Sequence, residues 1–525
     1  LPQPAKRSYL IRCEFFTHSP EAGETMSVPS ATHVDVIIVG AGLSGICAAY
    51  YIQTYCPSRT FTILESRDAI GGTWDLFRYP GVRSDSDMHT LGYSFRPWRG
   101  LKSMADGPSI LRYIEETARE YGIDRKIHFG HRVLRAAWSS VDARWSVDAM
   151  RVSDGTTVRF TCTFLFMCTG YYNYDQGYTP DWPGVERFQG RIVHPQHWPN
   201  NLDYAGKRIV LIGSGATAVT LAPALAQHAA HVTILQRSPT YVVALPAEDP
   251  IMRRLYRTFP AHIAYPLARW WSIGVGIYFY TLARRLPDAT RRNILKQIRA
   301  HLGPDFDVET HFNPRYNPWD QRLCVAPDGD LFQAIRSGRV SIVTDQIETF
   351  TETGVRLSSG AGLSADIIVT ATGLALKLMG GAQIVVDGVP VDLGRTVTYK
   401  GAMFSNIPNL ALAFGYTNAS WTLKCELIAR FVCRLLNHME RHGYVQCTPR
   451  LPDPAQAKEP AVTLTSGYIQ RAIDTIPRQT ARAPWKAYQN YLRDVLCLRF
   501  GRLHDGVMEF VRPGYPRMQM VREER

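Results

Sequence analysis

VDVIIVGAGLSG, residues 34–45, opens with six residues that are apolar except for Asp35, and then turns on three glycines. A short apolar, β-branched run of that kind reads as a strand buried on both faces. Gly40, Gly42 and Gly45 keep a G-x-G-x-x-G spacing and lead into ICAAYYIQ (46–53), which has helical character. TFTILE (60–65) then reads as a second strand ending on Glu65. The glycine spacing alone is weak, but strand, glycines, helix, strand and terminal acid in that order are specific for a dinucleotide fold. Glycine permits the tight turn and lets backbone N–H groups approach a pyrophosphate at the helix N-terminus. Glu65 is placed to accept hydrogen bonds from an adenosine ribose.

The pattern occurs twice. KRIVLI (207–212) runs into Gly213-Ser214-Gly215-Ala216-Thr217-Ala218, a helix, and then HVTILQR (231–237). Alanine replaces the third glycine, and Gln236-Arg237 replaces the terminal acid, with Ser238 next in the chain. A carboxylate there would repel a 2′-phosphate, whereas a guanidinium pairs with it in bidentate fashion. The first site therefore suits FAD and the second NADPH. Each unit also closes alike, with FLFMCTG (164–170) and DIIVTATG (366–373) as apolar strands ending in Thr-Gly. The expected fold is α/β, with two Rossmann-like dinucleotide-binding domains, the FAD domain being interrupted by the NADPH domain. The boundaries read as a disordered tail (1–33), a first FAD half (34–172), an NADPH domain (173–374) with a helical insertion near 246–318, and a second FAD half with the C-terminal segment (375–525). Residues 405–432 read as the returning FAD-domain strand and helix. Ser420 is expected as its N-cap, with the helix N-terminus facing the flavin ring.

Bulk composition narrows the function. A chain of 525 residues, 45% hydrophobic and 20% charged, is long enough for two or three folded domains. Lys+Arg 59 against Asp+Glu 46 gives +13, but no basic block of five or more occurs. That balance favours anionic cofactors or a membrane surface over nucleic acid. Ten cysteines form no C-x-x-C, which argues against a disulfide framework and for a reducing, cytoplasmic setting. Residues 1–33 lack the apolar core of a signal peptide, and Met26 reads as a candidate start. WWSIGVGIYFYTLA (270–283), flanked by Arg269 and Arg284-Arg285, is too short to span a bilayer. It reads as a helix buried under a neighbouring domain or, alternatively, as an amphiphilic patch for peripheral membrane docking.

Between the two glycine turns lies FQGRIVHPQHWP (188–199). His194 and His197 are no metal pair, because no Cys, Asp or Glu joins them at ligand spacing, and no metal is expected elsewhere. Phe188-x-Gly190-x-x-x-His194-x-x-x-Trp198-Pro199 resembles the fingerprint of type I Baeyer–Villiger monooxygenases. A second signature of that family runs from Gly71 through Gly72, Thr73 and Trp74 to Asp85. The phrases YYNYDQGY, GSGATAVTL, LQRSPTY, YNPWDQRLC and GYTNASWTLK are similar to the ethionamide-activating monooxygenase group of mycobacteria and relatives. The resemblance covers roughly residues 34–445, with NYLRD (490–494) beyond it; the proline-rich stretch 448–463 matches nothing.

What the resemblance implies is specific. The reaction would be insertion of one O2-derived oxygen into a ketone, giving an ester or lactone, or oxidation of a sulfide or thioamide sulfur, through a C4a-peroxyflavin. Arg322 would be the cation beside that oxygen adduct, with Asp85 holding or modulating it. His194 would couple the NADPH domain to the flavin. Gly72, Thr73 and Trp74 would line the flavin; Ser214, Thr217 and Ser238 would join the nucleotide contacts. Asn418 and Trp421 are further site candidates. Three alternatives stay open: a sulfide or amine monooxygenase without Baeyer–Villiger activity and, more remotely, an NADPH-dependent disulfide reductase or a non-catalytic flavin-binding protein. The reductase would need a redox cysteine pair.

Overall fold

Apolar strands at the heart of two sheets organise the chain. The computed structural model describes residues 32–100, 102–453 and 459–514. Residues 1–31 of the expected tail, and 454–458 of the proline-rich stretch, lie outside the described residues. The first strand, Thr32–Val39, begins two residues earlier than its apolar run, because His33 reaches Thr161 at 2.9 Å. It pairs in parallel with Phe61–Leu64 on one side and Thr157–Met167 on the other, with Val36 opposite both Phe61 and Phe164. Val36, Ile37 and Ile38 are fully buried, as a strand covered on both faces requires. A meander of His131–Ser139 and Arg144–Arg151 extends this sheet. Leu410–Leu412 returns from far down the chain to lie parallel against Leu165–Met167.

The second sheet has five parallel strands in the order Val340–Thr344, His231–Gln236, Arg208–Ile212, Ile367–Thr370 and Arg191–Val193. The chain passes out along Tyr172–Gly177 and back along Leu374–Leu376. These two passages pair antiparallel, so exit and return lie side by side.

Four helices, Pro250–Thr258, Ala261–Arg285, Pro287–Leu302 and Val308–Phe312, form the expected helical insertion. The apolar stretch in the second of them is not a fully buried helix. Ala264, Ala268, Arg269 and Ile273 turn inward, whereas Trp270, Trp271, Tyr278 and Phe279 are 47–63% exposed. Among the described residues no helix is long and apolar enough to cross a membrane. The 22-residue helix Trp421–His442 packs on Leu43–Tyr55 and ends at Gly443, whose φ of +66° is the left-handed C-cap glycine favours. The nine described cysteines are all free.

Candidate active site

The first glycine turn is sterically closed to any other residue. Gly40 has φ +105°, its N–H donates to the Leu64 carbonyl at 2.8 Å, and an added Cβ would lie 2.6 Å from the Cys168 carbonyl oxygen. At Gly45 a Cβ would sit 1.8 Å from the Gly40 oxygen. Gly42 caps the helix in an extended conformation without a side-chain bond, leaving the first-turn N–H groups open. A second glycine turn faces it: a Cβ on Gly72 would approach Gly42 Cα at 3.1 Å. Glu65 Oε2 accepts from Ala41 N–H at 2.6 Å and Oε1 from Arg67 N–H at 2.9 Å. Burial raises its pKa, and these hydrogen bonds act in the opposite direction. Arg67 and Arg78 both pair with buried Asp75, which ties the second turn to the strand end.

These groups line one cavity of about 570 Å³. Gly40, Gly42, Glu65, Gly72, Thr73, Trp74, Asp85, Thr217, Arg322 and Trp421 all reach its wall. Gly45 acts beneath the wall, as the packing contact that brings helix and strand together.

The second turn repeats the geometry of the first. Gly213 has φ +136°, its N–H donates to the Leu235 carbonyl at 2.8 Å, and a Cβ would lie 2.2 Å from the Ala371 oxygen. Gly215 caps helix Ala216–Leu225 at φ −78°, ψ −177°, nearly the values of Gly42. An added Cβ on Gly215 meets nothing within 4 Å, so its surface stands open to an approaching group. Ala218 is fully buried where the first unit needs Gly45. Ser214 Oγ donates to the Ser238 carbonyl at 2.9 Å, joining the turn to the end of the next strand. Arg237 sits exposed at that strand end.

Arg322 projects into the cavity from the loop before strand Cys324–Pro327, and its Nη2 donates to the Tyr171 hydroxyl at 3.3 Å. Tyr171 in turn meets the Tyr172 hydroxyl at 2.9 Å and the Tyr468 hydroxyl, so three phenols gather at one guanidinium. The phenolic oxygen of Tyr171, then those of Tyr468 and Tyr172 and the Asp85 carboxylate, hold the Arg322 pKa above its ordinary value against burial. Asp85 is accessible from the cavity but surrounded by protein beyond it. That desolvation pushes its pKa up to about 6, opposed by Arg83 and Arg322. It is ionised at neutral pH and takes a proton below about pH 6.

His194 and Asn418 do not line the cavity. His194 Nε2 lies 3.3 Å from the Gly373 carbonyl, and its Nδ1 accepts from Gln196 N–H at 3.2 Å. Its ring also fills the space beside Gly177, where a Cβ would come within 2.0 Å. The imidazole thus grips both passages between the sheets, and burial lowers its pKa and keeps it neutral. Asn418 Nδ2 donates to the Gln489 carbonyl at 3.0 Å, and Oδ1 is buried without a partner among the described residues. Ser420 stands at the helix N-cap position, but its hydroxyl meets Thr90 Oγ1 at 2.5 Å rather than capping the helix. Trp421 Nε1 donates to Ser44 Oγ at 2.8 Å, and its ring stacks on Tyr171.

Sequence reasoning passed over Tyr171, Tyr172, Tyr174 and Arg67, and it had no signal for Tyr468. The first three lie in YYNYDQGY, whose repeated phenols just after a Thr-Gly turn were the available cue. Tyr468 comes from a segment with no readable periodicity.

The family model for flavin-binding monooxygenase-like proteins matches residues 102–381, and an NAD(P)-binding Rossmann-like model matches 38–106. FAD-containing monooxygenase EthA of Mycobacterium tuberculosis is 52% identical over 485 residues, covering 92% of this chain and 99% of that protein. EthA of Mycolicibacterium smegmatis is 51% identical over 481 residues, covering 91% of this chain and 97% of its own. An oxidised steroid monooxygenase structure bound to NADP superposes with TM-score 0.73 at 23% identity, over 92% of this chain and 100% of that one. That last likeness speaks to the fold; the near relatives speak to descent. With half the chain matched by the family model and relatives near 50% identity along almost its whole length, the protein belongs to the flavin-binding monooxygenase family.

Proposed function

We propose that this flavin-dependent, NADPH-consuming monooxygenase inserts one atom of O2 beside a ketone carbonyl to give an ester or lactone, and also oxidises sulfide or thioamide sulfur. The observation that carries this reading is Arg322, with Asp85, facing the same cavity as the Gly40–Gly42 turn and Glu65. Both glycine cradles fit a dinucleotide, since an added Cβ at Gly40 or Gly213 would strike backbone. FAD is held at Gly40, Gly42, Glu65 and Gly72, and NADPH at Gly213, Gly215 and Arg237. Bound FAD, once reduced by NADPH, supplies the activation of O2. The chain's own residues do the rest. Arg322 offers a fixed, permanent charge to developing negative charge at the reacting oxygen. The Tyr171 phenol, braced by Tyr172, holds that guanidinium in place, and Asp85 acts on it through its charge across the cavity. His194 keeps the two chain passages in register, acting by position and not as an acid or base. The division into FAD halves 34–172 and 375–525 around an NADPH domain 173–374 is part of this proposal, and the two separate sheets, one mixed and one parallel, support it.

Incubation with NADPH and a panel of ketones and sulfides, followed by product mass spectrometry, tests the reading. Ester or lactone carrying one added oxygen is the expected result. Sulfoxide alone would leave a sulfide monooxygenase without ketone activity. The cofactor assignment has its own test. Arg237→Ala is expected to raise KM for NADPH by about tenfold or more while changing KM for NADH little, because a lost charge-assisted hydrogen bond is worth about 1.5–3 kcal/mol. An equal rise for both would move the 2′-phosphate contact elsewhere.

The exposed face of helix Ala261–Arg285 favours peripheral membrane contact as part of the proposal. Trp270 and Trp271 stand 53% and 47% exposed, and Tyr278 and Phe279 reach 63% and 59%. Trp270 touches Tyr491, which extends the patch to exposed Leu492, Leu496 and Phe500. Exposed arginines 253, 254, 257, 284 and 285 flank it. Apolar side chains ringed by cations suit an anionic bilayer surface. Co-sedimentation with phosphatidylglycerol vesicles, weaker with phosphatidylcholine and lost in a Trp271→Ser, Phe279→Ser double variant, is the expected outcome. Equal sedimentation of parent and variant would exclude this face.

A further inference from the structure

Behind the aromatic wall of the main cavity lies a second, smaller one of about 60 Å³. Tyr171 lines both cavities. Its ring stacks on Trp421 at 5.3 Å and packs tilted against Phe414 at 5.3 Å, so three aromatics in mutual contact form the partition. The far walls come from Leu376, Leu412, Val462, Ile469 and Ile476, drawn from the inter-sheet passage, the first sheet and the C-terminal segment.

The polar side chains of the lining are Thr398, Lys424 and Gln489, and the last two are engaged elsewhere. Lys424 Nζ is 3.1 Å from Asp494 Oδ2 and donates to the Tyr488 carbonyl at 3.1 Å, with both charged side chains nearly inaccessible. Gln489 Oε1 accepts from the Thr417 N–H and hydroxyl at 3.0 and 3.1 Å. The ammonium is therefore neutralised in place, and what faces the space is hydrocarbon. A cavity walled so largely by hydrocarbon favours apolar ligands over water. At roughly 10–15 Å³ for each water-sized occupant, it has room for a chain of about four such units.

We propose that this cavity is the subsite for the apolar arm of the substrate, reached past the edge of the Tyr171 ring with the Tyr171 hydroxyl still on Arg322. The inference rests on the oxygenation reading above. Arg322 touches the Tyr171 hydroxyl on the main-cavity side, so a polar reacting group beside Arg322 has its apolar arm directed at the partition. The C-terminal segment, which supplies Val462, Ile469 and Ile476, thereby sets which arm is accepted. The substrate class is a carbonyl or sulfur compound with an unbranched apolar arm of a few carbons; a carboxylate-ended arm is refused, because Lys424 is already engaged.

The test compares butanone with methyl hexyl ketone on the FAD-loaded enzyme, in the parent and in Ile469→Trp, which fills the cavity from its C-terminal wall. The parent is expected to prefer methyl hexyl ketone in kcat/KM by at least about tenfold, since a single methylene in an apolar pocket is worth roughly 10–200-fold. The variant is expected to lose that preference. A second readout needs no turnover: methyl hexyl ketone should raise the melting temperature of the oxidised parent without NADPH, and should not raise that of the variant. If Ile469→Trp fails to retain FAD, Val462→Phe takes its place. An unchanged preference in the filled variants, or no thermal shift in the parent, overturns the subsite. A thermal shift that the filled variant abolishes, with no oxygenated product from either ketone in the parent, would instead overturn the reaction and leave the subsite standing.

Discussion

Arg322→Ala is expected to bind both cofactors and yet to lose oxygenated product by roughly 10²–10³-fold, the usual effect of removing one preorganised electrostatic stabiliser. NADPH consumption should continue at a reduced rate, with the oxygen recovered as hydrogen peroxide. Cofactor retention follows from position. The glycine turns proposed to cradle FAD are built from backbone bonds of Gly40 to Leu64 and Gly71 to Ala41, none of which involves Arg322. The loss of product follows from the surroundings of the guanidinium. The other guanidiniums that line the cavity are each committed to a carboxylate: Arg83 to Asp330 at 2.7 Å, Arg132 to Asp175 at 2.6 Å, and Arg67 to Asp75. Arg322→Lys should recover little, because a compact ammonium cannot meet Tyr171 and the reacting oxygen with one planar fork. Product yield and peroxide yield, measured together per NADPH consumed, decide the matter. Unchanged coupling in Arg322→Ala would take the charge-stabilising role away from this residue.

The two glycine turns were legible because a missing Cβ leaves a mark in sequence wherever backbone meets backbone. Gly40, Gly45 and Gly213 are each places where a Cβ would come within 2.6 Å of a carbonyl oxygen, and no packing change nearby relieves that. Ala218 shows the limit of the rule: one position in the second turn has room for a methyl, and the motif loosens there. Arg322 and Asp85 were legible only through resemblance, since neither sits in a pattern that physics alone singles out. Their sharing of one cavity wall depends on a loop some 240 residues away from the turn at Asp85, a separation that no local periodicity records. Tyr468 was invisible for a related reason. It arrives on the four-residue helix Gly467–Gln470, too short for an amphipathic period.

The apolar stretch 270–283 illustrates the opposite error. Fourteen residues of nearly unbroken hydrophobicity invite the reading of a buried helix, and half of that face is exposed. What anchors the helix is the one residue that the pattern treats as a flank. Arg269 is 6% exposed, and its Nη1 donates to the carbonyls of His89 at 2.9 Å and Gly92 at 2.7 Å. Its Nη2 pairs with Glu426 Oε2 at 2.8 Å, while Glu426 Oε1 accepts from Ser94 N–H. Burial opposes the charge on Arg269, but Glu426 together with the Tyr265 and Tyr491 phenols outweighs it and keeps the pKa above its ordinary value.

Glu426→Gln is therefore expected to destabilise the docking of helix Ala261–Arg285 by about 3–5 kcal/mol, because a buried charge is left without its counter-ion. The insertion would detach from the Trp421–His442 helix and from residues 89–94 before the sheets unfold. Tryptic nicking at Arg284 and Arg285 should then accelerate by roughly 10²–10³-fold, since cleavage follows the population of the open form when closing is fast. Retention of FAD separates this local event from global unfolding. Replacing both partners, Arg269→Met with Glu426→Leu, should restore most of the protection, because two apolar side chains of similar volume need no counter-charge. The backbone carbonyls of His89 and Gly92 would lose their donor in that double variant, so recovery should stop short of the parent. Glu426→Gln nicked no faster than the parent would place the anchoring energy in the apolar contacts of Ala264, Ala268 and Ile273. The ion pair would then be a consequence of how the helix docks rather than what holds it.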